Sequence, residues 1–208
     1  MHVLLDWVGS AKMDDSLLEQ MSVAGVQIPK YHPPHWSHIG SMNNRTHRKL
    51  LVVDGRMAFT GGVGIAPQWS GQGQDPQPWR DTHFEVEGPV VAQMQAVFLD
   101  NWIKVIGDVL HGPAYFPELP PVGNSLAQMF SSSPGGGSES MQLMYLLSIG
   151  AASRSIDLSA ACFVPDELTS NALLEALRRV SSCVLRCRAR TLTARRCASP
   201  HARARAHC

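Results

Sequence analysis

Residues 46–55 are Thr46-His47-Arg48-Lys49-Leu50-Leu51-Val52-Val53-Asp54-Gly55, a basic segment followed by a short apolar one. The apolar part, residues 50–53, contains β-branched valines and predicts a strand in the core. His47 and Lys49 are two residues apart, so an extended chain places both side chains on one face. The Asp54-Gly55 pair predicts a turn, after which residues 57–60 return as the second strand of a hairpin.

The histidine and the lysine together suit phosphoryl transfer. A neutral imidazole can attack phosphorus or carry a proton, and its ordinary pKa of about 6.5 fits both tasks near neutral pH. An ammonium group beside it can hold a phosphate oxygen. The pair His47 and Lys49 therefore predicts a phosphoryl-transfer site that needs no metal and no organic cofactor. The alternative is an edge strand whose basic side chains are merely solvated.

The spacing His-x-Lys-x-x-x-x-Asp over residues 47–54 resembles the HKD motif of the phospholipase D superfamily. The residues around it are similar to those of bacterial cardiolipin synthases: Asn43-Asn44-Arg45-Thr46 before the motif, Gly61-Gly62 after it, and Pro78-Trp79-Arg80-Asp81-Thr82-His83 further on. The resemblance extends over about residues 1–180. It implies that His47 and Lys49 are catalytic, and that Asp54 belongs to the motif mainly as a structural hydrogen-bonding residue.

Asp81 matches an acid that orients the catalytic imidazole in the family, as the carboxylate of a triad does. The alternative for Asp81 is a turn or cap at the start of a strand. The resemblance further implies substrate contacts from Arg45, His38, Trp79 and the glycines at 61 and 62, where backbone can come close to the substrate. Many family members have an asparagine at the position of Gly64, so one phosphate contact is missing here.

His38 belongs to a loop, residues 31–40, that is rich in histidine, proline and aromatic residues. We interpret this loop as the rim of a lipid headgroup pocket. An ordered proline-rich loop with solvated histidines remains the alternative. A metal site is disfavoured, because the loop has no cysteine or carboxylate to complete a ligand set.

The family's mechanism implies two histidines that act on a phospholipid, phosphatidylglycerol or cardiolipin. One forms a phosphohistidine, the other protonates the leaving alcohol, and a second alcohol takes the phosphatidyl group. No His-x-Lys follows residue 49 in this chain. We therefore expect an impaired phosphatidyltransferase fragment, or a homodimer that brings two copies of His47 together. The alternatives are a dimeric phosphodiesterase or nuclease of the same superfamily and an inert lipid-binding fragment.

The charge is divided unevenly along the chain. Residues 1–175 hold nine lysines and arginines against all 17 acids, a net charge of −8, whereas residues 176–208 hold nine arginines and no acid. An acidic body disfavours nucleic acid as a partner. The Arg/Cys-rich tail, residues 181–208, is expected to be disordered or translated out of frame, and a basic arm for nucleic acid or anionic lipid is the rival interpretation.

No apolar run approaches the ~20 residues of a membrane span, and no signal peptide is visible. We expect a bacterial protein in the cytoplasm or peripherally on the membrane. The predicted fold is α/β, a phospholipase D-like mixed sheet flanked by helices, with about one and a half repeats. A first repeat that is truncated at its N-terminus covers residues 1–111, a connection covers 112–124, and a second repeat begins over 125–180.

The element order supports this fold class. A strand at 2–8, a helix at 14–21 capped by Asp14 or Asp15, and a strand at 26–28 predict a parallel β-α-β unit. Later segments predict strands at 84–87, 127–131 and 155–159 and helices at 90–106, 140–152 and 165–179. The helix at 90–106 carries one apolar stripe, formed by Val91, Met94, Val97, Phe98, Trp102 and Val105.

Overall fold

A computed structural model describes residues 1–31, 46–70, 79, 81–132, 138–160, 163–187 and 190–195. Within these residues the chain is mixed α/β, with four α-helices and three small sheets. The chain divides into two compact units, unit 1 (Met1–Met129) and unit 2 (Phe130–Cys208). The repeat limits at 111, 124 and 180 and the phospholipase D-like arrangement stay predictions.

Unit 1 begins with the predicted β-α-β unit: β1 (Leu5–Asp6), α1 (Asp15–Val23) and β2 (Lys30–Tyr31). The two strands are parallel, as predicted. The Asp14 carboxylate caps α1 by accepting from the Ser16 N–H at 2.9 Å, which holds the pKa of Asp14 below its ordinary value. The second strand lies later than the predicted 26–28. Pro29 has no N–H for the ladder, and Gln27 forms only an isolated bridge.

The central sheet of unit 1 is an antiparallel meander of β3 (Leu50–Val53), β4 (Met57–Gly61) and β5 (His83–Glu87). The predicted hairpin is confirmed. Its turn has φ of 53° at Asp54 and 64° at Gly55, with a hydrogen bond from Arg56 N to Val53 O at 2.9 Å. Two left-handed residues give the twist that joins antiparallel strands closely, which an Asp-Gly pair tolerates.

Helix α2 (Val90–Ile106) has the predicted limits and ends at Gly107, whose φ is 78°. Its buried Val91 and Met94 pack with Ala58 against an inner face of the meander formed by Leu50, Val52 and Val86. The other side, the outer face, includes Leu51 and Val53 of β3 with Met57 and Phe59 of β4. The prediction of a core strand at 50–53 therefore holds only for alternate residues. Leu51 is 52% exposed because the described residues of unit 1 place a helix against one face only.

The C-terminal half of α2 builds a second core. Leu99, Trp102 and Leu110 are buried there, and Phe98, Tyr115 and Phe116 pack against them. The apolar stripe is confirmed at Val91, Met94 and Trp102, which are the most buried members of the set. Two polar side chains on the helix, Gln95 and Asn101, are buried as well, and the stripe did not predict them.

Unit 2 comprises α3 (Ser138–Ala151), β6 (Ser155–Ser159), α4 (Glu167–Leu177), β7 (Ser182–Cys187) and β8 (Arg190–Arg195). Strand β7 pairs parallel with β6 and antiparallel with β8. The Asp166 carboxylate caps α4 by accepting from the Thr169 N–H at 2.7 Å. Burial and then the charge of Asp157 raise the pKa of the Cys183 thiol on β7.

Two sequence predictions are wrong in this region. Residues 127–131 form no strand, because the Met129 N–H donates to the Gln93 side chain at 2.9 Å instead of to a ladder. The tail is not disordered over 182–187 and 190–195, which form strands. Ladder bonds use backbone groups that every non-proline residue carries, so the arginine-rich composition did not prevent pairing. Residues 196–208 lie outside the described residues.

Within the described part of the chain, no helix combines the length and the apolar character needed to cross a membrane.

Candidate active site

His47 and Lys49 lie side by side just before β3. The Lys49 Nζ is 3.2 Å from the His47 Nε2. The His47 side chain is exposed and Lys49 is partly buried. An ammonium group can only donate, so a hydrogen bond at this contact requires Nε2 to accept with its lone pair. That neutral form of the imidazole is the one that attacks phosphorus. The predicted meeting of the two side chains is confirmed.

Thr46 and Arg48 alternate with His47 and Lys49 along the chain, and they form hydrogen bonds on the opposite side of this segment. Arg48 Nη1 donates to Val97 O of α2 at 2.8 Å and lies 3.4 Å from the Asp100 carboxylate. The Thr46 N–H donates to Asp6 at 3.0 Å, and Thr46 Oγ1 accepts from Asn101 Nδ2 at 2.8 Å. Because side chains alternate along an extended chain, His47 and Lys49 then point away from α2.

These contacts fix a segment that has no ladder of its own. Residues 46–49 precede the first paired residue of β3. Side chains supply the missing hydrogen bonds: Asp6 and Asn101 at Thr46, and Thr60, whose hydroxyl donates to Lys49 O at 3.0 Å. Sequence analysis missed all three. A polar residue on the apolar stripe of a helix, such as Asn101, was the signal available.

Asp100 and its two cations form a second link between α2 and this segment. Partial burial of the Asp100 carboxylate acts to raise its pKa, but hydrogen bonds and charge from Lys104 and Arg48 outweigh this and hold the pKa below its ordinary value. The ionised carboxylate is thus favoured by folding. Its contribution is present above the unfolded pKa of about 3.9 and is lost as the pH falls through the lower folded value. At 47% exposure the contribution is small.

Replacing Asn101 with alanine is expected to lower the free energy of unfolding by about 1–3 kcal/mol, because Asn101 is 5% exposed and the Thr46 hydroxyl loses its donor. Urea unfolding followed by circular dichroism measures this. The matched control is Asn124→Ala, which changes an exposed asparagine of the same unit. Equal midpoints for the two variants would contradict a holding role for Asn101.

Asp54 is placed at the far end of β3 from the pair. It lies five positions after Lys49, about 16 Å along an extended chain. Its side chain is exposed, and its φ of 53° is the left-handed conformation of the hairpin turn. Asparagine tolerates this conformation as well as aspartate does, whereas a β-branched residue does not.

We expect Asp54→Asn to leave both the melting temperature and any transfer activity nearly unchanged. Asp54→Val is expected to lower the stability by about 1–3 kcal/mol through backbone strain. Thermal unfolding and an activity assay on the two variants measure this. Loss of activity in Asp54→Asn without loss of stability would show that the carboxylate itself takes part in the chemistry.

Asp81 lies against Gly62. Its Oδ1 accepts from the Thr82 N–H at 2.7 Å, and a Cβ added to Gly62 would overlap the carboxylate. A Cβ added to Gly61 would overlap Thr82 O and the backbone of His83. Glycine is therefore required at both positions for β4 and the start of β5 to meet. Among the described residues no hydrogen bond joins Asp81 to His47, and the orienting role of Asp81 stays a prediction.

The remaining predicted contacts are placed unequally. Trp79 is 60% exposed, donates its backbone N–H to Gln68 O at 2.7 Å and meets Trp69 edge-on, with ring centroids 5.4 Å apart. Trp69 also takes the space beside Gly64, since its Nε1 lies 2.9 Å from the position of an added Cβ. Arg45 and His38 lie outside the described residues, so their predicted substrate contacts stay predictions.

The fold and this pair define a mixed α/β protein with a histidine–lysine site suited to phosphate chemistry. In sequence the chain is similar to curated bacterial cardiolipin synthases. It is 33% identical over 179 residues to cardiolipin synthase A of Pseudomonas fluorescens strain Pf-5, covering 86% of this chain and 37% of that protein. It is 35% identical over 185 residues to cardiolipin synthase A of Pseudomonas putida, covering 88% and 38%.

Cardiolipin synthase of Geobacillus thermodenitrificans is 33% identical over 167 residues, covering 79% of this chain and 33% of that protein. The chain thus spans little more than a third of the length of these curated relatives. No family model matches it.

Proposed function

We propose that this chain supplies part of a phosphatidyltransferase of the cardiolipin synthase type, with an HKD motif at His47, Lys49 and Asp54. The observation that carries the proposal is the 3.2 Å contact between His47 Nε2 and Lys49 Nζ on a segment fixed from behind by Asn101. Similarity to cardiolipin synthases over most of the chain supports the substrate class. The donor would be phosphatidylglycerol or cardiolipin, at the surface of a membrane.

The chemistry has two balanced steps. The lone pair of His47 Nε2 attacks the phosphorus of a phosphodiester, a P–N bond forms, and the P–O bond to the leaving alcohol breaks. That alcohol takes a proton from a general acid, which is a different group from the nucleophile. A new alcohol then attacks phosphorus, gives its proton to the same group as a base, and breaks the P–N bond. Lys49 moves from Nε2 to a non-bridging phosphate oxygen and stabilises the negative charge there.

A second histidine from another copy of the chain would complete this site. The 208 residues contain no other His-x-Lys. A two-fold dimer places the same patch of both copies together, so two His47 side chains would share one substrate. One would act as the nucleophile and the other as the general acid. When several residues act as a unit in catalysis, the absence of one of them removes nearly all of the catalytic rate.

The test is an assay of transfer from phosphatidylglycerol vesicles by the purified chain at several protein concentrations. A site shared between chains predicts a rate that rises faster than linearly with protein. It also predicts that excess His47→Ala chain lowers the rate of a fixed amount of unchanged chain, whereas an equal mass of an unrelated protein does not.

The product identifies the reaction. Cardiolipin means that an alcohol accepts the phosphatidyl group, and phosphatidic acid means that water does, as in a phosphodiesterase of the same superfamily. No product at any concentration would overturn the proposal for this chain and leave an inert lipid-binding fragment as the alternative.

A further inference from the structure

A second imidazole occupies the same row of the sheet as Lys49. Leu50 is the first paired residue of β3 and pairs with Thr60, so the same register continued by one residue would place Lys49 opposite Gly61. Gly61 in turn pairs with His83 on β5. Lys49 and His83 therefore flank Gly61, one on each side. The two lie three residues before Val52 and Val86, which pack towards α2, so both belong to the outer face.

Gly61 has no side chain, and the His83 ring lies close to the position that a side chain at Gly61 would occupy. Its Nδ1 lies 2.8 Å from the point where a Cβ on Gly61 would stand. The His83 side chain is exposed, so the ring is accessible to a ligand. Two strand spacings put the Lys49 and His83 backbones about 10 Å apart, a separation that a phosphate group bound by both side chains can bridge.

We propose that His83 is a third phosphate-binding residue, which donates to an anion held above Gly61 between its imidazole and the Lys49 ammonium. The inference rests on the proposed function of the site as a phosphodiester-handling one, and deepens it. Imidazole N–H and ammonium groups are both donors to phosphate oxygens. Two carboxylates lie near this site: Asp81 is beside Gly62, and Glu85 follows two residues after His83. Their negative charge opposes the binding of a highly charged anion. A singly charged phosphodiester suits this balance better than a doubly charged monoester.

The test is a titration of the full chain with inorganic phosphate and with the water-soluble diester glycerophosphoglycerol, followed by the ¹H–¹⁵N signals of the histidine rings. We expect the His47 and His83 signals to move together and the His111 signal to stay, because His111 is an exposed histidine elsewhere in unit 1. His83→Ala is expected to weaken diester binding about tenfold, the loss for one hydrogen bond to a charged group. His83→Gln, which keeps an N–H donor, is expected to stay within about threefold, and His111→Ala within about twofold.

Melting temperatures that match the unchanged chain establish that the variants fold. Equal diester affinity in His83→Ala and His111→Ala would overturn the inference about His83. If Lys49→Ala lost diester binding in the same experiment, the proposed function would still stand. Absence of diester binding by the unchanged chain would overturn both. Binding that depends on His83 in a chain without transfer activity would support the inference and count against the proposed function.

Discussion

Replacement of His47 by alanine is expected to reduce phosphatidyl transfer by about 10⁴-fold or more. Nε2 is the atom that forms the P–N bond in the proposed mechanism, and alanine offers no substitute. The expected loss appears in the rate of product formation and not in vesicle binding. It also appears in a direct assay of the covalent intermediate, with phosphatidylglycerol labelled in its phosphate and an alkaline quench that preserves the P–N bond.

His111→Ala is the matched control, because it removes an exposed histidine from the same unit without touching the pair. Lys49→Ala separates attack from charge stabilisation: it is expected to slow transfer while leaving the nucleophile in place. A labelled intermediate of undiminished amount in His47→Ala would rule out His47 as the nucleophile. Because both histidines of the proposed dimer are copies of His47, that result would also contradict the two-histidine mechanism.

Trp102→Ala is expected to lower the free energy of unfolding by about 3–5 kcal/mol, a large part of the total stability of a small domain. Trp102 is 1% exposed, meets the ring of His2 edge-on with centroids 4.9 Å apart and stacks on Phe98 at 5.7 Å. Alanine would leave a cavity between α2 and Leu110 that the surrounding backbone cannot close. Urea unfolding followed by far-ultraviolet circular dichroism measures the change, since the variant lacks one of the five tryptophan fluorophores of the chain.

Trp102→Phe is the informative partner of this variant. Among the described residues, the buried Nε1 of Trp102 has no hydrogen-bond partner. Phenylalanine removes that unsatisfied donor together with part of the apolar surface, and the two effects act in opposite directions. Its cost is therefore expected to be well below that of alanine. Trp79→Ala, at a 60% exposed position, is expected to cost less than about 1 kcal/mol, and a cost equal to that of Trp102→Ala would contradict this account of the core.

Local chemistry made part of the fold predictable. The Asp54-Gly55 turn, the Asp14 cap of α1 and the limits of α2 all depend on residues within a few positions of one another. Strand limits were harder to predict, since a strand exists only where a partner pairs with it. The strand expected at 127–131 is absent because Gln93 takes the Met129 N–H, and β7 exists because β6 and β8 pair with it.

The candidate site, like the fold, could be predicted from the sequence only in part. A two-residue spacing in an extended segment was enough to predict that His47 meets Lys49. The residues that hold this segment come from far along the chain, Asp6 from 40 residues before Thr46 and Asn101 from 55 residues after it. His83 was visible in the sequence only as a flank of Asp81, and its place beside Gly61 follows from the register of β4 and β5.

The contact between His47 and Lys49, the turn that follows it and the helix α2 could be predicted from nearby residues, because each depends on short-range geometry that the backbone imposes on neighbours. Three features follow from the tertiary fold: which face of β3 is covered, which polar side chains hold residues 46–49, and which imidazole lies on the same face as Lys49. Those features depend on which distant segments pack together, and packing is set by the combined burial and hydrogen bonding of the whole unit.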